Sequence, residues 1–83
     1  MKFKEYSPQE KRRREKNLKE FQKEVLPMLQ DIYKVKEYQY QMYKIITKYC
    51  VYDYYPRADK LHNCNEKKWI NNGIDYIFTN LLK

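Results

Sequence analysis

The apolar residues of this chain change their spacing once, near Lys36, and that change limits the possible fold more than any other feature. Before it, Leu18, Phe21, Val25, Met28 or Leu29, and Ile32 recur at steps of three and four, which puts them on one helix face turned toward a core. After it, Tyr38, Tyr40 and Met42 alternate with Gln39, Gln41 and Tyr43. The run Tyr49-Cys50-Val51-Tyr52-Asp53-Tyr54-Tyr55 follows, rich in residues that suit a pleated surface. A helical segment followed by strand-like segments predicts an α+β domain.

Local signals set the boundaries. Ser7-Pro8-Gln9-Glu10 combines a capping hydroxyl, a proline suited to the first helical position and a glutamate that completes a capping box, so a helix is expected from Pro8. Pro27 lacks an N–H and its ring meets the carbonyl of Lys23, which predicts a kink or break without a change of phase. Strands are expected over 38–45, 49–55 and 60–64, with Pro56-Arg57-Ala58-Asp59 as a turn and Asn65-Glu66-Lys67-Lys68 as a polar connection. Residues 38–49 also fit a second helix through Tyr38, Met42, Ile45 and Tyr49, which would leave the chain mostly α. Asn72 is placed to cap a last helix with Asp75 three residues on and Ile74, Ile77, Phe78, Leu81 and Leu82 as its apolar face. The expected order is αβββα in one domain over residues 1–83. Residues 1–17 form an exposed basic arm and helix start, because 9–16 hold no apolar residue, and 18–83 form the compact core.

Composition then removes whole classes of function. One Gly, one His, one Trp and one Ser leave no material for a glycine-rich phosphate loop and little for a triad, so a non-enzymatic role without a cofactor is expected. The longest uncharged apolar runs are far shorter than the roughly 18 residues of a membrane span, and no apolar signal region follows Met1-Lys2-Phe3-Lys4. Two cysteines are too few for the disulfide framework of a small secreted domain; they read as reduced thiols, and the chain as cytoplasmic.

Charge and tyrosine carry the functional expectation. The net charge is +7, and residues 1–24 hold nine cations against five anions. Lys11, Arg12, Arg13 and Arg14 step round a helix at 100° each, making a cationic collar that Lys16 and Lys19 extend. Such a collar suits a phosphate backbone, where each neutralised phosphate releases counterions, or an acidic protein surface. The competing reading is a solvated helix end with internal pairs such as Glu10 with Arg14 and Glu15 with Lys19. The chain holds ten tyrosines, and those of the expected sheet populate both its faces, Tyr52 and Tyr54 on one and Tyr49, Val51 and Tyr55 on the other. Rings left exposed beside cations stack nucleic-acid bases, so Tyr52, Tyr54 and Tyr55 with Arg57 are the expected directional contacts, to RNA, single-stranded DNA or a nucleoprotein. Tyrosines that cover a thin core, or anchor a protein-only interface, are the alternatives. Trp69 is read as a core anchor.

Two weaker patterns concern metals. A hairpin turning about Arg57 would set Cys50 opposite Cys64, with His62 on the same face, but a structural zinc site takes four ligands and only three are present unless Asp53 or Asp59 joins. No metal is therefore expected. Asp59 followed by Glu66-Lys67-Lys68 matches the loose D…E-x-K spacing of magnesium-dependent nucleases, without the following strand such a site needs.

Tyr54-Tyr55-Pro56, Lys60-Leu61, Lys68-Trp69 and Gly73 form a YYP…KL…KW…G pattern that resembles small uncharacterised proteins of phages and mobile elements. The resemblance implies a binding role, including inhibition of an RNA-guided host nuclease in the manner of anti-CRISPR proteins. The element order is also similar to the double-stranded RNA-binding domain, which implies phosphate contacts from Lys67 and Lys68; that family's KKxAK signature is absent, since Trp69 and Ile70 follow.

Overall fold

The computed structural model describes residues 6–82, apart from the side chain of Tyr40, so the expectations for residues 1–5 and for the Tyr40 ring lie outside the described residues. Helix α1 runs Pro8–Glu20, and Ser7 Oγ accepts the Glu10 N–H at 3.2 Å, as the capping pattern predicts. The Glu10 carboxylate turns instead to Arg13. A π-helical turn, Phe21–Val25, then leads into α2, Leu26–Ile32. The Leu26 N–H bonds the Phe21 carbonyl five residues back. That wider turn just ahead of Pro27 is how the chain takes a proline in mid-helix, and the buried stripe continues as far as Leu29, whereas Ile32, expected on it, is exposed.

Five antiparallel strands follow where three were expected: β1 Lys34–Tyr38, β2 Met42–Ile46, β3 Val51–Tyr55, β4 Lys60–Asn63 and β5 Lys68–Asn71, paired in chain order. The segment expected as one strand over 38–45 is a hairpin, folded back by a 3₁₀ turn at Gln39–Gln41 in which Gln41 takes φ 57°. The polar connection after Cys64 is likewise a hairpin turn, with Lys67 at φ 57°. Neither turn carries glycine or proline, the two residues that usually mark one. The short helix α3, Gly73–Tyr76, runs into a second π turn, Ile77–Leu81. The α+β architecture is thus as read, with a wider sheet.

One face of the sheet is covered. Leu18, Phe21, Val25 and Leu29 from the N-terminal helices, and Ile77 and Leu81 from the C-terminal turn, close over Tyr43, Ile45, Tyr52, Tyr54 and Leu61. Phe21 sits between Tyr43 and Tyr54, with ring centroids 4.9 and 4.8 Å away. Each buried phenol tip finds a partner. Gln22 Nε2 donates to Tyr43 Oη at 2.8 Å, the Tyr52 and Tyr76 hydroxyls are 3.2 Å apart, and Tyr54 Oη donates to Asp59 Oδ1 at 2.7 Å. Gly73 is required by packing: a Cβ there would lie 2.7 Å from Tyr54 Cε1.

Register decides which side chains reach the open face. Tyr54 pairs with Leu61 and Asp53 with His62, one residue away from the expected alignment, because the four-residue turn between Tyr55 and Lys60 centres beyond Arg57. Cys50 therefore does not face Cys64, whose N–H bonds the Val51 carbonyl at 2.9 Å, and both thiols are free. Among the described residues, no helix is long and apolar enough to cross a membrane.

Candidate nucleic-acid interface

The turn between β3 and β4 is clamped to α1 by charge. Arg57 Nε donates to Glu15 Oε1 at 2.9 Å, and its Nη2 donates to Gln41 Oε1 at 2.5 Å, so one guanidinium joins the helix, the β1–β2 turn and the β3–β4 turn. Glu15 is thereby used across the fold rather than on Lys19, and Glu10 pairs with Arg13 rather than Arg14. Asp59, at φ 51°, fixes the other side of the turn. Its carbonyl accepts the Gly73 N–H at 2.9 Å and its Oδ1 accepts the Ile74 N–H at 2.8 Å. Asp59 thus caps α3 from the β3–β4 turn, while Asn72, expected as the cap, takes φ 53° and makes no side-chain cap bond.

Around this clamped turn lies a cleft of about 370 Å³ lined by Arg14, Gln41, Tyr55, Pro56, Arg57, Ala58, Lys60 and Trp69. Two further clefts adjoin it: Tyr6, Lys11, Arg14, Glu15 and Arg57 line one, and Arg13, Asn17, Lys60 and Asn71 are among those lining the other. The floor is aromatic. Tyr55 and Trp69 lie on the open face with ring centroids 5.5 Å apart, and His62 packs on Trp69 at 4.7 Å. Trp69 is 58% exposed, which corrects its reading as a core anchor: in β5 it alternates with the half-buried Ile70 and takes the solvent side. The Arg14 guanidinium lies 4.4 Å from the centre of the Tyr6 ring.

The expected binding residues therefore divide. Lys11, Arg13, Arg14, Tyr55 and Arg57 come together around the clefts, joined by Lys60 and Trp69, which the sequence did not single out for this role. Alternation along β5 was the signal that could have found Trp69. Arg12, Lys16 and Lys19 line none of these clefts, and Lys16 pairs with Glu20 at 3.8 Å. Tyr52 and Tyr54, expected as exposed rings, are buried under the helices and cannot stack a base. Lys67 and Lys68 lie in and after the β4–β5 turn, at the far end of the strands from Lys60. Glu66 belongs to that same end and Asp59 to the other. The four residues of β4, at about 3.3 Å each, hold the two carboxylates too far apart to share a magnesium ion.

Further along the open face, Lys44, Asp53 and His62 occupy one cross-strand row. Lys44 Nζ is 3.0 Å from Asp53 Oδ1, and this contact raises the lysine's pKa. Cys64 Sγ donates to Asp53 Oδ2 at 3.2 Å. Burial first, and then the Asp53 carboxylate, push that thiol up from its ordinary value. No protein-family model, no curated protein and no solved structure matches this chain, so the reading of the site rests on its own residues.

Proposed function

We propose that this protein binds single-stranded nucleic acid, without catalysis, along the clefts around its β3–β4 turn. The observation that carries the reading is the convergence of an exposed Tyr55–Trp69 pair with Arg14, Arg57 and Lys60 in one cleft. Bases offer π faces that stack on such rings whatever their sequence, each contact contributing about 1–3 kcal/mol, while the cations follow the phosphates. The cleft's volume falls within the roughly 300–1,000 Å³ usual for small-ligand sites, room for a base and its sugar. Lys11 and Arg13 extend the cationic path along the helix to either side. A duplex is the poorer ligand because its bases are already stacked on one another.

The phage-protein resemblance gives that strand a natural setting, the RNA of an RNA-guided nuclease whose action this chain would block. Fluorescence anisotropy with labelled single-stranded RNA, single-stranded DNA and duplex tests the reading. Trp69→Ala and Arg14→Ala should each weaken single-strand binding about tenfold, an effect of about 1.4 kcal/mol, with the fold unchanged by circular dichroism. Equal affinity of Trp69→Ala and the parent chain would remove stacking from the account. Binding to no oligonucleotide, with capture of a protein from host lysate after nuclease digestion, would assign the cleft to a protein partner instead.

A further inference from the structure

The row beside the aromatic pair holds a second kind of chemistry. Asp53 and His62 are direct cross-strand partners in β3 and β4, and Cys64 follows His62 by two residues, on the same side of the sheet. Their ligand atoms all lie within 4.8 Å of one another, and all three residues are half-buried. We propose that Asp53, His62 and Cys64 form a three-ligand site for one zinc ion on the open face of the sheet.

Geometry supports this before any rearrangement. Bond lengths of about 2.3 Å to sulfur and about 2.0–2.1 Å to nitrogen or oxygen at a tetrahedral angle put neighbouring ligand atoms about 3.6 Å apart. Cys64 Sγ lies 3.2 Å from Asp53 Oδ2 and 3.9 Å from His62 Nδ1, one distance on each side of that value. The partners of the carboxylate are already divided. Oδ1 faces Lys44 Nζ at 3.0 Å, leaving Oδ2 directed at the sulfur. Lys44 then stands as the outer partner that orients a ligating carboxylate, as bound metals commonly require.

Charge and protons balance as well. Zinc displaces the proton of the Cys64 thiol, which leaves to solvent. The S–H bond breaks and a Zn–S bond forms, while the thiol's hydrogen bond to Asp53 is replaced by a Zn–O bond. One thiolate, one carboxylate and one neutral imidazole then offset the two positive charges of the ion, so the half-buried site carries no net charge apart from Lys44. Water completes the tetrahedron in the fourth position. Sulfur, nitrogen and oxygen in one set favour zinc over magnesium or calcium, which take oxygen alone. The set differs from the Cys50, His62 and Cys64 combination suggested by residue spacing, because the one-residue change of register pairs Asp53 with His62 and leaves Cys50 against the core on the other face.

Cobalt(II), with the coordination preferences of zinc and visible spectroscopy, reads the ligands directly. The reduced full-length chain should take up one equivalent, with a sulfur-to-cobalt charge-transfer band in the near ultraviolet and tetrahedral bands in the visible. Zinc should displace the cobalt and raise the melting temperature. Cys64→Ser should abolish the charge-transfer band, and His62→Gln and Asp53→Asn should each weaken zinc binding at least about tenfold. Cys50→Ser should change nothing. A charge-transfer band lost with Cys50→Ser, or zinc affinity unaltered by both His62→Gln and Cys64→Ser, overturns the assignment. His62→Gln, on the open face, keeps the test decisive should Cys64→Ser fail to fold.

Discussion

Single side chains in this protein are constrained most strongly where a phenol has to be buried. Tyr43, Tyr52 and Tyr54 share one direction of perturbation: burial, the largest cause in each case, holds the hydroxyl protonated above the ordinary tyrosine range. Tyr76 adds to this at Tyr52, and the Asp59 carboxylate adds to it at Tyr54. A phenol with a native pKa above its unfolded value of about 10 stabilises the fold fully below pH 10, and that stability is lost as pH climbs toward the native values. The loss is about 1.4 kcal/mol per pH unit for each such group, because the unfolded chain releases a proton the native one keeps. The melting temperature should therefore drop steeply above pH 10. Ultraviolet difference titration should show at least these three of the ten tyrosines ionising only as the chain unfolds. Uniform titration of all ten near pH 10 in a chain that stays folded would contradict this.

The left-handed positions in the turns between elements carry side chains rather than glycine. Gln41, Asp59, Lys67 and Asn72 all take left-handed backbone conformations, and the single glycine, Gly73, stands beside these positions rather than at one. For Asp59 the conformation serves a purpose, since the residue caps α3 and holds the Tyr54 hydroxyl. Asn63 does similar work in the next turn, its Oδ1 accepting the N–H groups of Asn65 and Glu66 at 3.0 Å each. Lys67 has only the strain. Its Cβ costs about 1–2 kcal/mol in that region, partly offset by the entropy a glycine would lose on folding. Lys67→Gly should accordingly stabilise the chain by about 0.5–1 kcal/mol, measured as an increase in the urea midpoint at unchanged m-value. A lower midpoint would mean that the lysine side chain holds the β4–β5 turn in some further way.

At the level of the whole molecule, the sheet separates two kinds of surface: one face is closed by the helices, and the other presents aromatic and cationic residues to solvent. Exposed ion pairs such as Lys16 with Glu20 on α1 contribute at most about 1 kcal/mol to stability, so under the proposed function the surface cations matter to binding far more than to folding. The salt responses of binding and of folding should therefore diverge. With about four phosphate contacts, the logarithm of single-strand affinity should fall against the logarithm of salt with a slope of about −3, and Arg14→Ala should flatten it by about 0.7. The melting temperature should move little over the same range. A flat binding response, or parallel loss of binding and fold, would mean that the cations act within the fold instead.

Much of this architecture was legible in the residues because the signals are local. The helix start at Ser7 and Pro8, the apolar stripe from Leu18 to Leu29, and the strand character of residues 51–55 depend on neighbours within a few positions, where capping, spacing and side-chain shape act directly. The exposure of Lys11, Arg12 and Arg13 on α1 was equally visible, and Arg13, Arg14, Tyr55 and Arg57, all singled out in the sequence, line adjoining clefts. What the sequence could not place depends on pairing. Gln41 and Lys67 turn the chain without a glycine or proline, so two hairpins were read as a single strand and a loop. One residue of register in the β3–β4 hairpin then exchanged the fates of several groups. It separated Cys50, Tyr52 and Tyr54, which pack toward the helices, from His62 and Cys64, brought Asp53 to those two, and, with the hidden fifth strand, left Trp69 on the open face. A strand alternates faces at every residue, so its own sequence settles which side chains travel together, and only the tertiary pairing settles which side they take.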